Sequence, residues 1–262
     1  MIDIHSHILP SLDDGARSLE EAVEMARTAA GDGITHMVAT PHAFNGLSHN
    51  PTTDEILRRV DAFQQALGTL IGILPGNEVH FSHDTVEMAQ ACRVTPLNRQ
   101  NYMLIEFPSI HIPMGAGVLF GKLRNAGIVP ILAHPERNLE IQRRPSLVAA
   151  FVESGVRIQV TAMSVTGRFG PAAFACVRKL LEHHCVHFIA TDAHRARGRP
   201  PVLSEARDAA GRIIGPAAAR KLVEDNPRAV VEGKALDLPH PVSFPEAARG
   251  GSVLSRMFRN LN

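Results

Sequence analysis

The sequence predicts an α/β fold in which strand–helix units repeat around a parallel sheet, and three observations carry that prediction. Seven short β-rich runs recur along the chain, most of them continuously apolar like strands buried on both faces. Amphipathic stretches of helix length separate them. The length of 262 residues, at 45% apolar content, suits one compact globular domain.

The strands are expected at Ile2–His5, Ile34–Thr40, Ile71–Pro75, Tyr102–Phe107, Ile128–Ala133, Val156–Thr161 and Val186–Thr191. The first helix opens at SLEEAVEMARTAAGDG, where Ser18 and Glu21 form a capping box, and it stops at Gly31 and Gly33. Thr52 and Glu55 cap the second, in which Ile56, Val60, Phe63 and Leu67 recur at helical spacing. Pro171 suits the first turn of a helix reaching Leu181. Further helices are expected over Thr85–Cys92, Gly115–Asn125, Ser146–Glu153, Leu203–Ile213 and Pro216–Glu224, with NPRAVVEG as a closing turn. One domain therefore covers residues 1–233. From 234 to 262, three prolines, a Gly pair and no sustained period mark an extended or partly helical tail, whose last dozen residues suit a short basic amphipathic helix. That tail is either a loose appendage or a contact for a partner.

Charge and aromatic content exclude one class of function. Lys and Arg number 27 against 26 Asp and Glu, so no overall field draws the chain to nucleic acid or anionic lipid. Aromatic residues are only 5%, with no Trp and Tyr102 the sole tyrosine, too few for base-stacking platforms. No nucleic-acid partner is expected. Cys92, Cys176 and Cys185 are odd in number and lack CxxC spacing, which fits a reducing cytoplasm rather than a disulfide framework or zinc ribbon. The opening MIDIHSHILPSLDDGA has neither the basic nor the apolar part of a signal peptide, and no run approaches the roughly 18 apolar residues of a membrane span. A soluble, unprocessed cytoplasmic protein is the expectation.

Histidine is the anomaly, since 14 in 262 is roughly twice what chance supplies. Their positions are informative. The first strand ends in His5 and His7, whose spacing of two puts both imidazoles on one side of an extended chain. The second ends in ATPH with His42, the third in PGNE with Glu78, the fourth in IEFP with Glu106, the fifth in AHPER with His134, and the seventh in TDAH with Asp192 and His194. Only the sixth contributes none. In a closed parallel barrel these C-terminal ends converge on one face. A lone histidine at a strand end is more often a cap or a core hydrogen-bonder, but six of seven strands delivering His, Asp or Glu at the same end point to metal. Asp13 and Asp14 are natural turn formers before Gly15, and Asp14 is also a ligand candidate because it follows the His pair closely.

Five histidines and four carboxylates exceed one closed site and suit two or three borderline divalent ions, such as Mn, Fe or Zn, sharing bridging carboxylates. A structural site would be closed by about four ligands, usually with thiolates, and no Cys lies at these strand ends. Arg137 and Arg199 follow His134 and Asp192 on loops at the same face, where guanidinium forks beside a metal cluster match a phosphoryl group. The alternative for both is an ordinary surface charge, as for Arg143 or Arg144. Cysteine-based phosphatase chemistry is excluded, because it needs C-x5-R and the residues six positions after Cys92, Cys176 and Cys185 are Asn98, Glu182 and Thr191.

The segments MIDIHSHILPSLDDGA, DGITHMVATPH, PGNEVH, LIEFPS, AHPERN, QVTA, GRFG and HFIATDAH, running in order from Met1 to about Gly233, resemble the polymerase and histidinol phosphatase (PHP) superfamily. Within it they resemble the bacterial capsular-polysaccharide-type protein tyrosine phosphatases. The resemblance implies a distorted (β/α)7 TIM-like barrel and a three-metal cluster: His5, His7, Glu78 and Asp192 on one ion, Glu78 bridging to a second with Glu106 and His134, and Asp14, His42 and His194 on the third. It implies that Arg137 and Arg199 bind phosphate. It also implies a phosphotyrosine substrate on the tail of a bacterial tyrosine kinase that governs capsule or exopolysaccharide synthesis. The alternatives are a histidinol-phosphate or other small phosphomonoester phosphatase, then a PHP nuclease, then a non-catalytic metal-binding module.

Overall fold

The structure, a computed structural model, describes residues 1–46 and 50–244. Strand β1 (Ile2–Ser6) is followed by α1 (Leu19–Gly31), β2 (His36–Ala39), β3 (His42–Ala43) and α2 (Thr53–Leu67). Then come β4 (Gly72–Pro75), β5 (Glu78–His80), α3 (Thr85–Gln90), β6 (Tyr102–Glu106), α4 (Ala116–Asn125) and β7 (Val129–Ala133). After β7 the chain runs through α5 (Leu139–Arg143), α6 (Leu147–Glu153), β8 (Arg157–Thr161), α7 (Ala162–Val165), α8 (Pro171–Glu182) and β9 (Phe188–Ala190). It closes with α9 (Ser204–Ile214), α10 (Pro216–Lys221) and α11 (Asp225–Val231).

All pairing is parallel, in a three-stranded sheet β1-β2-β4 and a six-stranded sheet β3-β5-β6-β7-β8-β9. The sheets meet where Asp192 N donates to His5 O and His7 N to Ala193 O, both at 2.8 Å. Each of the seven expected strand runs is occupied, and two short strands that were not expected, β3 and β5, follow the second and third runs. Pro41 has no N–H to give the ladder, and its carbonyl turns aside to accept from Glu78 N and Asn77 Nδ2. Gly76 lies so close to the first sheet that a Cβ there would meet Val38 Cγ1 at 2.9 Å. The kinks hand β3 and β5, with His42 and Glu78, to the second sheet in register with each other.

The expected helix starts are present with their caps: Ser18 Oγ accepts from Glu21 N and Thr52 Oγ1 from Glu55 N, each at 3.3 Å. The Glu21 carboxylate reaches Arg17 N rather than the Ser18 N–H of a strict capping box. NPRAVVEG, expected as a turn, is the helix α11, with Pro227 in its first turn where no N–H is required. Helices α5 and α7 were unexpected, and the helices expected to reach Cys92 and Glu224 stop at Gln90 and Lys221. Residues 234–244 follow α11 without regular structure; Phe244 stacks on His183 with ring centroids 3.8 Å apart. The expected basic helix in the last dozen residues lies outside the described residues.

Helix faces such as Ala22, Met25 and Ala26 of α1 and Ile56, Val60 and Phe63 of α2 join strand residues in one large core. A second cluster is built on Ile2, Ile4, Leu104, Ile131 and Phe188 from the strands, with Leu97 and Val230 joining it. Together they fix the strands whose C-terminal ends carry the polar residues described next.

Candidate metal centre

β1 is buried along its whole length, and its two-residue period puts His5 and, just past its end, His7 on one side. Their Nε2 atoms lie 3.3 Å apart. Each ring is oriented from behind: His5 Nδ1 donates to Gln159 Oε1 at 3.0 Å and His7 Nδ1 to Asp13 Oδ2 at 2.7 Å. Oxygen acceptors at both Nδ1 atoms leave both Nε2 lone pairs facing the centre of the cluster, as in metal-binding imidazoles. Asp13 also accepts from Gly15 N and His42 N, so the SLDDGA turn places His7 and His42 together. A Cβ on Gly15 would stand 2.0 Å from His7 O, so only glycine lets that turn lie against the first strand.

Carboxylates converge on these nitrogens. Glu78 Oε2 lies 3.3 Å from both His5 Nε2 and His7 Nε2 and 3.1 Å from His42 Nδ1, while Glu78 Oε1 takes His134 Nε2 at 2.7 Å. Asp192 Oδ1 is 3.4 Å from the Nε2 atoms of His5 and His7. Asp14 Oδ1 is 3.4 Å from Nε2 of both His42 and His194. Glu106 is more open, with Oε1 3.7 Å from His134 Nε2 and Oε2 3.3 Å from His80 Nδ1. Ligands about 2.1 Å from a shared divalent ion stand about 3.0–3.5 Å from one another, and most of these separations fall there. His42 Nδ1 supplies an independent sign: it is buried and makes no hydrogen bond despite the Glu78 oxygen beside it, as a lone pair aimed at an ion would. The residues therefore fit divalent metal.

Ligating atoms within 4.8 Å of one another form four overlapping groups: His7, Asp14, His42 and His194; His5, His134 and Asp192; His5, His7 and Glu78; and His42, Glu78 and Glu106. All nine candidate ligands from the sequence are included. The grouping differs in detail from that implied by the resemblance, since His7 also joins the third set and Asp192 lies with His134.

Burial alone would strip charge from these groups, yet their mutual attraction wins. Burial raises the Glu78 and Asp192 carboxyls, but the surrounding imidazoles, with Arg137 and Arg199 beside Asp192, hold both well below the usual carboxylate range. Against the same burial, Glu78 and Asp192 raise His5, and Asp13 raises His7 well above an ordinary imidazole. An accumulation of buried anions that forces protons onto histidines asks for cations in its middle. His134 and Asp192 are also held at φ +29° and +51°, a backbone cost on the order of 1–3 kcal/mol each that clusters at functional sites.

Arg137 and Arg199 share one anchor. Both reach Asp192 Oδ2, Arg199 Nη2 at 2.5 Å, and both guanidiniums lie over the Phe169 ring, 5.1 and 5.6 Å from its centroid. One aromatic face and one carboxylate oxygen thus set two forks side by side. They line a cavity of about 330 Å3 with Asp14, His42, Glu78, Glu106 and His134. An apolar cavity of about 500 Å3 elsewhere, bordered by Leu181, Ile214 and Leu222, belongs to none of the ligand groups.

Three supporting residues escaped the sequence reading. Gln159 comes from β8, the strand without a candidate ligand, and is a neutral amide that a search for ionisable groups passes over. Asp13 reads as a turn former, and it is one, but its second oxygen orients His7. Phe169 stood in the GRFG segment without a role.

The chain matches, over residues 1–232, the family described as capsular polysaccharide synthesis, CpsB/CapC. It belongs to that family. It is 39% identical over 202 residues to the tyrosine-protein phosphatase YwqE of Bacillus subtilis (strain 168), covering 76% of this chain and 79% of the relative. Against the tyrosine-protein phosphatase CpsB of Streptococcus pneumoniae it is 28% identical over 242 residues, covering 88% and 98%. A crystal structure from work on YwqE and CpsB, described as unique metal-dependent tyrosine phosphatases, superposes with a TM-score of 0.90 at 33% identity over 94% of this chain and 100% of that one. Histidinol phosphate phosphatase from Lactococcus lactis, at TM-score 0.56 and 13% identity, shares the fold.

Proposed function

We propose that this protein is a metal-dependent protein tyrosine phosphatase. The observation that carries the reading is that nine His, Asp and Glu side chains, eight at strand ends and Asp14 on the turn after the first strand, form one cluster, seven of them lining a single cavity with two arginines anchored on one carboxylate. In this reading His5, His7, Asp14, His42, Glu78, Glu106, His134, Asp192 and His194 hold two or three ions. An all-nitrogen-and-oxygen set suits manganese, with iron or zinc as the other candidates. The domain is residues 1–233, with 234–262 as its tail.

When bound, such ions supply positive charge for the phosphoryl oxygens and a water of near-neutral pKa. The chain's own contribution is positioning. Arg137 and Arg199 each carry five N–H donors, more than Asp192 uses, and the remainder are available to non-bridging phosphoryl oxygens. In hydrolysis water adds to phosphorus as the bond to the tyrosine oxygen breaks. A phenolate leaving group of pKa about 10 departs with little help from an acid, so no side chain is assigned that task.

The family description, capsular polysaccharide synthesis, supports a substrate among tyrosine-phosphorylated proteins of that process. The tail of a bacterial tyrosine kinase is the reading adopted. A cytoplasmic site of action is supported by three free cysteines, and among the described residues no helix is long and apolar enough to cross a membrane. Phosphate release from a phosphotyrosine peptide and from histidinol phosphate, with manganese supplied, tests the reading. Peptide hydrolysis by wild type, falling about 100-fold or more in Arg137→Ala at unchanged metal content, is expected. Activity on histidinol phosphate alone overturns it.

A further inference from the structure

The segment joining Glu106 to α4 buries Phe107 and Ile112 but turns two apolar residues outward. Ile110 and Met114 are 67% and 88% exposed, the two most exposed large apolar side chains among the described residues. Solitary exposed apolar residues are ordinary, but Ile110 directly follows Phe107, Pro108 and Ser109, which line the same cavity as Glu106 and Arg137, and Met114 ends the same short segment. Leu139, 43% exposed, adjoins them through its N–H to Ser109 O at 2.8 Å.

The segment is also rigidly held. Asn138 Nδ2, four residues after His134, donates to Pro108 O at 2.7 Å and His111 O at 3.0 Å, and Ile112 N donates to Glu140 Oε2 at 2.9 Å. Asn138 Oδ1 is committed in turn to the N–H groups of Glu140 and Ile141. Ile112 and Pro113 are buried beneath, so the outward residues do not turn in to join the core. An apolar surface kept exposed by a fixed backbone costs little ordering when something covers it.

We propose that Ile110 and Met114 form a docking rim for an apolar side chain flanking the phosphotyrosine of a protein substrate. The inference rests on the phosphatase reading and names what that reading leaves open, the sequence around the phosphorylated residue. Continuity with the cavity mouth favours this occupant, because a polypeptide whose phosphotyrosine reaches the cavity must cross its edge.

Two phosphotyrosine peptides, identical except for leucine or serine at the flanking positions, and free phosphotyrosine are the probes. The wild-type protein with manganese is expected to show kcat/KM about tenfold higher for the leucine peptide than for the serine peptide, the usual size of selection by one apolar side chain. Ile110→Ser combined with Met114→Ser is expected to erase that preference through KM; both positions are exposed, so folding should be unaffected. Equal wild-type values for the two peptides, or a preference that survives in the double variant, overturns the rim. So does a double variant whose sedimentation shows altered self-association while its peptide preference persists, since the face would then join two copies. Wild type that hydrolyses free phosphotyrosine without discriminating the peptides refutes the rim and spares the phosphatase reading; wild type inactive on all three refutes both.

Discussion

His5 Nδ1 donates to Gln159 Oε1 across 3.0 Å, and the same oxygen lies 3.4 Å from the backbone N–H of His134. One buried amide therefore orients two candidate ligands from a strand that supplies none itself. Gln159→Leu removes the acceptor and frees the His5 ring to adopt the other tautomer. Metal affinity, measured by calorimetric titration of the chelator-treated protein, should fall about 10- to 100-fold, while Gln159→Glu, which keeps the acceptor, should retain more of it. Unchanged affinity in Gln159→Leu would show that the hydrogen bond has no part in holding metal.

Phe169 acts one step further from the chemistry. Its ring supports both Arg137 and Arg199, so Phe169→Ala leaves the cluster intact and loosens the forks. With each cation–π contact worth about 0.5–2 kcal/mol, kcat/KM for an aryl phosphate should fall roughly 3- to 30-fold, with metal content by elemental analysis unaltered. Loss of metal in this variant would mean the ring is a packing element of the cluster.

Burial pushes the Cys176 and Cys185 thiols up to about 12, whereas Cys92 is exposed. A thiol-specific disulfide reagent should therefore titrate one cysteine quickly in the native protein and all three after denaturation. Phosphatase activity should survive the native modification. Inactivation proportional to Cys176 or Cys185 labelling would revive a thiol mechanism.

His187, 1% exposed, accepts from Ile158 N at its Nδ1, and burial with Arg157 nearby lowers its pKa to about 3. The unfolded chain binds a proton near pH 6.5 that the folded one refuses, so stability falls as pH drops from 6.5 toward 3. By linkage this residue costs about 2 kcal/mol between pH 7 and pH 5. His187→Asn keeps an acceptor for Ile158 and removes the titration, so the urea midpoint should fall less steeply over that range than in wild type, both measured with metal chelated. Parallel slopes would place the acid sensitivity elsewhere.

Much of this was legible because the signals were local. Apolar runs located the strands, and the candidate ligands at their ends were visible without knowing how the strands meet. The breaks that create β3 and β5 were not, because the approach of Gly76 to Val38 exists only once both strands are placed. Helix α11 was hidden by Pro227, which reads as a breaker until the helix start is fixed two residues earlier. Gln159 and Phe169 are ordinary core-type residues by sequence, and only the folded arrangement points one at His5 and the other at two arginines.

A cluster that binds divalent metal to hydrolyse phosphotyrosine must lose and regain activity with its ions, which phosphate release from a phosphotyrosine peptide reports for protein stripped with EDTA and then titrated with manganese. Activity absent after stripping and restored saturably by the ion is the predicted result; hydrolysis that persists in the stripped protein, with metal absence verified by elemental analysis, would contradict it.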